Sequence, residues 1–275
     1  MENSFYTPSE VIKSNIKSAV AKANLPLAKM ILLGMMAGAF IAFGGAASSV
    51  AAHGVADVGL ARSIAGAIFP VGLMLVVFTG SELFTGNSLM IMAVIDKKIT
   101  LLKMIRNLVV VYFANFIGAL IIDVLVFLSG QFDFSGGGLG AYTIKVALAK
   151  TSIAPVTAVI SGILCNILVC LAIVLAGTAK DSIGRIFGIF FPIAAFVVCG
   201  FEHCVANMFM IPLGIITAHS STPEFWQQIG VDPMKYADLD LYHFIVKNLI
   251  PVTLGNIVGG AVCIGLFQRY LTKAH

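Results

Sequence analysis

The chain has 275 residues, 59% of them apolar and only 11% charged, with a formal net charge of +4. Soluble domains carry about 25% charged residues, so a water-facing surface could not be covered and a soluble class is excluded. The apolar runs are continuous and do not alternate, which excludes a β-barrel and leaves an all-α membrane protein.

Thr7-Pro8-Ser9-Glu10 reads as a helix start, with Thr7 as N-cap, Pro8 at the first helical position and Glu10 closing a capping box. Val11, Ile12, Ile16, Ala19 and Val20 recur at helical spacing opposite Lys13 and Lys17. Residues 1–26 are therefore expected to form a cytoplasmic amphipathic helix on the membrane surface. No cleavable signal peptide is expected, because the first thirty residues are basic and interrupted. One transmembrane channel domain is expected over 27–271.

Six apolar segments follow at about 27–52, 63–95, 101–130, 152–177, 186–218 and 245–268. About 20 residues cross a bilayer. The second and fifth segments run to about 33 residues, too long for one span and too short for two. Each carries a polar motif midway, and the two motifs are copies. Gly80-Ser81-Glu82-Leu83-Phe84-Thr85-Gly86-Asn87 and Gly200-Phe201-Glu202-His203-Cys204-Val205-Ala206-Asn207 share Gly-x-Glu at the same spacing to Asn. Helices 2 and 5 are thus expected to be broken mid-membrane, where irregular backbone must line a cavity or be buried in protein.

The duplication continues into the third and sixth segments. Arg106-Asn107-Leu108 leads to Asn115, and Lys247-Asn248-Leu249 leads to Asn256, at identical spacing. The repeats, about 27–130 and 152–268, hold three spans each, so they are expected to be inverted with a pathway at their interface. Twelve of the seventeen Lys and Arg fall on the side of the termini, which places both termini in the cytoplasm and the protein in the plasma or inner membrane.

Leu83-Phe84-Thr85-Gly86-Asn87, Cys165-Asn166-Ile167-Leu168-Val169-Cys170 and Gly200-Phe201-Glu202-His203, running on to Ala206-Asn207-Met208, together resemble the signature segments of the formate/nitrite transporter family. The resemblance extends over most of the chain. It implies an aquaporin-like six-helix protomer assembled as a homopentamer, with one pore per protomer for small monovalent weak-acid anions. It implies a cytoplasmic constriction at Leu73, Leu83, Phe84 and Val169, and an outer one at Phe69 and Phe196. It also implies a pathway containing His203, Thr85 and Asn166, with vestibule lysines at Lys17 and Lys150. Formate leads among the substrates, followed by hydrosulfide, with nitrite and lactate behind.

The residues carry physical reasons of their own. Helix N-termini favour anions, and lysines at each mouth steer them inward. A bare anion in an apolar constriction meets a desolvation barrier that a weak acid escapes by taking up a proton. His203 is the only histidine deep in an apolar segment, and whether it donates that proton is open. Glu82, Asn87, Glu202 and Asn207 are expected to be structural at the helix breaks, since a carboxylate there can satisfy exposed N–H groups. Asn115 and Asn256 are read as hydrogen-bonded links between helices, and His53, His219, His243 and His275 as surface residues. No cofactor, metal or nucleic-acid partner is expected; the partners are the anion, protons, the bilayer and other copies of the chain. The competing class is an integral membrane enzyme using Glu202 and His203 as acid and base, which lacks a nucleophile or ligand trio beside the pair.

Overall fold

A computed structural model describes residues 4–273; residues 1–3 of the N-terminal segment, Ala274 and His275 lie outside the described residues. The chain is all helical. Helix α1 (Pro8–Ala23) is followed by α2 (Leu27–Ala52), α3 (Val58–Thr79), α4 (Phe84–Ile95) and α5 (Leu101–Leu128). Then come α6 (Gly138–Thr151), α7 (Pro155–Thr178), α8 (Ser182–Cys199), α9 (Cys204–Ser220), α10 (Pro223–Ile229) and α11 (His243–Thr272). Among the described residues, α2, α3, α5, α7, α8 and α11 are long and apolar enough to cross a membrane. The protein is a multi-pass membrane protein.

Local chemistry sets these elements. Thr7 Oγ1 accepts the Glu10 N–H while Glu10 Oε2 accepts the Thr7 N–H at 2.7 Å, so α1 starts on a closed capping box. Val11, Ile12, Ala19 and Ala23 form its buried stripe, and Lys13 and Lys17 point away from that stripe. Helices α3 and α8 both stop at a glycine in the left-handed region, Gly80 at φ +69° and Gly200 at φ +71°. A residue with a side chain is strained there, which explains why each polar motif opens on glycine. Three extended or irregular residues follow each glycine before α4 and α9 begin. The second and fifth segments are therefore interrupted helices, as their length requires.

Glycines also set the closest helix crossings. A Cβ on Gly38 of α2 would overlap the Asn115 carbonyl of α5, and one on Gly118 would overlap the Met35 carbonyl. On the other side, a Cβ on Gly255 would strike the Val159 carbonyl, and one on Gly259 the Ile163 carbonyl. These contacts bring α2 against α5 and α7 against α11 at backbone distance, the small-residue packing common between helices in lipid. Helix α11 winds with π-type hydrogen bonding over His243–Leu249 and Val258–Leu266.

Helix α6 was not anticipated as a helix. It starts behind the glycine run 136–138 and buries Leu139, Gly140, Thr143, Ile144 and Ala147. A Cβ on Gly214 of α9 would overlap that of Ala147, so the two helices are in close contact. This packing fixes the last turn of α6, which carries Lys150, beside the second break. On α5, Asp123 is fully buried and neither carboxylate oxygen has a hydrogen-bond partner.

Candidate functional site

The two breaks are built from equivalent residues. At the first, Asn115 accepts the Phe84 N–H at 3.0 Å, and its amide nitrogen donates to the carbonyls of Glu82 (2.9 Å) and Gly34 (2.7 Å). At the second, Asn256 accepts the Cys204 N–H at 2.8 Å and donates to the carbonyls of Glu202 (3.0 Å) and Gly162 (2.8 Å). One asparagine on a neighbouring span thus satisfies the first free N–H of each half-helix and the carbonyl of the break's glutamate, and ties both to a carbonyl inside the adjacent helix. Left without partners in a membrane interior, those groups would be costly.

The glutamates are held the same way. Glu82 Oε2 accepts from Asn87 (2.7 Å) and Asn107 (3.3 Å), and Oε1 pairs with Lys22 Nζ at 2.9 Å. Glu202 Oε2 accepts from Asn207 (2.6 Å) and Asn248 (3.2 Å), and Oε1 pairs with Lys150 Nζ at 2.8 Å. Asn87 and Asn207 each also donate to Asn107 and Asn248, at 2.8 and 2.7 Å. Both carboxylates are buried, and each is neutralised by one lysine and hydrogen-bonded by two amides. A carboxylate engaged in this way contributes little net field against an anion.

The breaks differ where chemistry could occur. His203 caps α9, its Nδ1 accepting the Ala206 N–H at 3.0 Å. The equivalent position ahead of α4 is Leu83, which makes no side-chain cap. Because Nδ1 accepts, the ring proton of the neutral imidazole belongs on Nε2, which donates to Thr85 Oγ1 at 3.0 Å. The threonine's own hydroxyl hydrogen then remains for another acceptor. Thr85 and His203 are at most 3% exposed, and the contact joins the first turn of α4 to the cap of α9.

Two cavities flank this contact. One, of about 480 Å³, is bordered by Lys22, Lys29, Leu73, Glu82 and Leu83 beneath α1. The other, of about 570 Å³, is bordered by Arg62, Phe69, Lys145, Lys150, Phe196 and His203. Phe196 stacks on the His203 ring at 5.9 Å between centroids, and Phe69 meets Phe196 edge-on at 5.6 Å. Leu73 and Leu83 on one side, and Phe69 and Phe196 on the other, are each at most 4% exposed. Leu73 and Leu83 thus border the first cavity, and Phe69, Phe196 and His203 the second.

The predicted residues do not all meet there. Phe84 and Val169 are buried but border neither cavity. Phe84 turns outward against Tyr112 (4.9 Å) and a separate apolar groove. Asn166 donates to the backbone carbonyl of Thr85 at 3.2 Å, positioning α4 without reaching a cavity. Lys17 is exposed on α1, and Lys22 is the lysine brought to the first break. Lys22, Asn107, Asn248 and Arg62 were not singled out for the site. The two asparagines could have been found from their repeated spacing ahead of Asn115 and Asn256. Among the described residues, no group of His, Cys, Asp and Glu could hold a metal ion.

Comparison with known proteins gives one answer throughout. A family model described as formate/nitrite transporter matches residues 9–270. The chain is 51% identical over 271 residues to a formate channel FocA of Haemophilus influenzae, covering 98% of this chain and 95% of that protein. It is 37% identical to formate channel FocA of Escherichia coli K12 over 261 residues, 94% of this chain and 92% of the relative. Among solved structures, one described as a pentameric formate channel with formate bound superposes with a TM-score of 0.84. It is 36% identical and covers 90% of this chain and 98% of that one.

Proposed function

This chain belongs to the formate/nitrite transporter family, and from that premise we propose that it is a membrane channel for small monovalent weak-acid anions, formate first among them. The observation that carries the reading is the Thr85–His203 hydrogen bond, buried between two cavities that each have cations in their walls. The named formate channels among its relatives support formate over hydrosulfide, nitrite and lactate. By the same likeness the protomers assemble as a homopentamer. The repeats run inverted, the termini face the cytoplasm, and the protein resides in the plasma or inner membrane. Its relatives are named channels or transporters, and the reading is of a protein that is not an enzyme.

The mechanism follows from solvation. A formate ion reaching Leu73 and Leu83, or Phe69 and Phe196, would lose its water against hydrocarbon, at several kcal/mol. Formic acid meets a much lower barrier. Protonation therefore occurs in the cavity and the acid crosses neutral. The source of the proton is water and not His203. A neutral imidazole that gave up its Nε2 proton would become an imidazolate unless Nδ1 gained one at once, and Nδ1 is already accepting from Ala206. The imidazole N–H and the Thr85 hydroxyl instead offer hydrogen bonds to the acid in passage, replacing water at the driest point.

The test is uptake into proteoliposomes of formate, nitrite, hydrosulfide, lactate and chloride at about pH 5 and about pH 7.5, against protein-free vesicles. Facilitated formate flux that rises at the lower pH, with little chloride, is expected. Chloride flux equal to formate flux would overturn the neutral-passage mechanism, and no facilitated flux of any anion would overturn the transport reading.

A further inference from the structure

Both lysines at the breaks are engaged with carboxylates, Lys150 with Glu202 at 2.8 Å and Lys22 with Glu82 at 2.9 Å. A paired cation attracts a third charge weakly. The wall of the second cavity holds two further cations, Arg62 and Lys145, and among the described residues neither lies within 4.0 Å of a carboxylate. Arg62 is specifically placed. It reaches from α3 across to the end of α8, where Nη1 donates to the Val198 carbonyl at 3.4 Å. A Cβ on Gly200 would lie 3.3 Å from Nη1 and 3.7 Å from Nη2, so the guanidinium rests on the glycine of the break itself. Glu202 and His203 follow in the next three residues.

Two consequences follow from this position. The guanidinium sits at the carbonyl end of α8, whose partial negative charge would otherwise face an approaching anion. It also makes one long hydrogen bond out of five possible donors, leaving a planar fork free beside the cavity. The other break has no such contact, since a Cβ on Gly80 would meet nothing within 4 Å. We infer that Arg62 is the docking residue of this mouth, holding two-oxygen anions such as formate through its guanidinium before they pass Phe69 and Phe196. The inference deepens the anion-channel reading and rests on it.

The experiment compares wild type, Arg62→Gln, Arg62→Lys and Lys235→Gln in proteoliposomes, measuring formate, nitrite and hydrosulfide uptake over a range of concentrations. Lys235 is exposed and borders neither cavity, so its variant controls for net charge alone. Loss of one charge about 6 Å from the anion changes its local concentration by about threefold in water, and loss of the bidentate contact adds to that for formate and nitrite. Arg62→Gln is therefore expected to raise the formate KM about threefold to tenfold at low salt, with the maximal rate preserved and the charge part of the effect fading near 1 M salt. Arg62→Lys keeps the charge, so it is expected to preserve hydrosulfide uptake while raising the KM for formate and nitrite. Equal formate KM values in Arg62→Lys and wild type would overturn the docking role, as would an Arg62→Gln variant no different from Lys235→Gln. Should Arg62→Gln fail to fold, the ratio of formate to hydrosulfide uptake in Arg62→Lys decides the matter. Absence of formate flux in wild type would count against the channel reading itself.

Discussion

Replacing Lys150 by Gln leaves the Glu202 carboxylate, 4% exposed, with its two amide donors but without its cation. Removing one partner of a buried ion pair destabilises by about 3–5 kcal/mol, because the remaining charge is left uncompensated. The reverse change, Glu202→Gln, strands a lysine that is 17% exposed and borders a cavity of about 570 Å³. That ammonium can turn into water, so the loss should be only about 1–2 kcal/mol. The double variant removes both charges and should recover much of what Lys150→Gln loses. At about 2–4 °C per kcal/mol, Lys150→Gln should melt about 10 °C below wild type, with Glu202→Gln and the double variant between them. Thermal denaturation of the purified protein in detergent measures this without reference to transport. A Lys150→Gln variant melting within about 2 °C of wild type, or a Glu202→Gln variant melting lower still, would refute this account of the breaks.

Other changes separate structure from transport. His203→Asn retains a residue able to cap α9 but loses the bond to Thr85; it should stay folded while formate flux falls about tenfold, the equivalent of one hydrogen bond of about 1.4 kcal/mol at the barrier. Unchanged flux in that variant would remove His203 from the pathway. Asp123→Leu should raise the melting temperature, since the buried carboxylate has no partner and its removal should gain about 1–3 kcal/mol; a lower melting temperature would mean that the carboxyl is satisfied. Hydrogen bonds from Thr7 hold the Glu10 carboxyl below its ordinary range. Its contribution is therefore present above the unfolded value and is lost as pH falls through the lowered one. Hydrogen-exchange protection at the start of α1, taken relative to the intrinsic rate at each pH, should fall below about pH 4, and Glu10→Gln should abolish that loss.

Much of this architecture is legible in the chain. The spans and their breaks follow from segment length and from Gly-x-Glu, because the left-handed turn at 80 and 200 has a strong preference for glycine. The asparagine frameworks follow from repeated spacing. Lys17 is more instructive. The amphipathic pattern of α1 sets it opposite the apolar stripe, and the structure leaves it exposed there, while Lys22 flanks Ala19 and Ala23 on the buried side. The helical register thus gives the two lysines different surroundings, Lys17 in the open and Lys22 on the Glu82 carboxylate. Arg62 and Asp123 were not legible. Whether a residue reaches a helix end 136 positions away, or is buried without a partner, depends on tertiary packing and leaves no local pattern. Helix α6 was hidden by a glycine-rich start and by an apolar face that is interrupted by glycine and threonine.

The central claim is that the anion crosses as its neutral acid. Formate uptake and internal pH should therefore be recorded together in proteoliposomes under a clamped potassium diffusion potential. The account predicts one proton carried inward per formate, with a rate unchanged when the imposed voltage is reversed. Formate uptake without internal acidification, at a rate that follows the voltage, would contradict it.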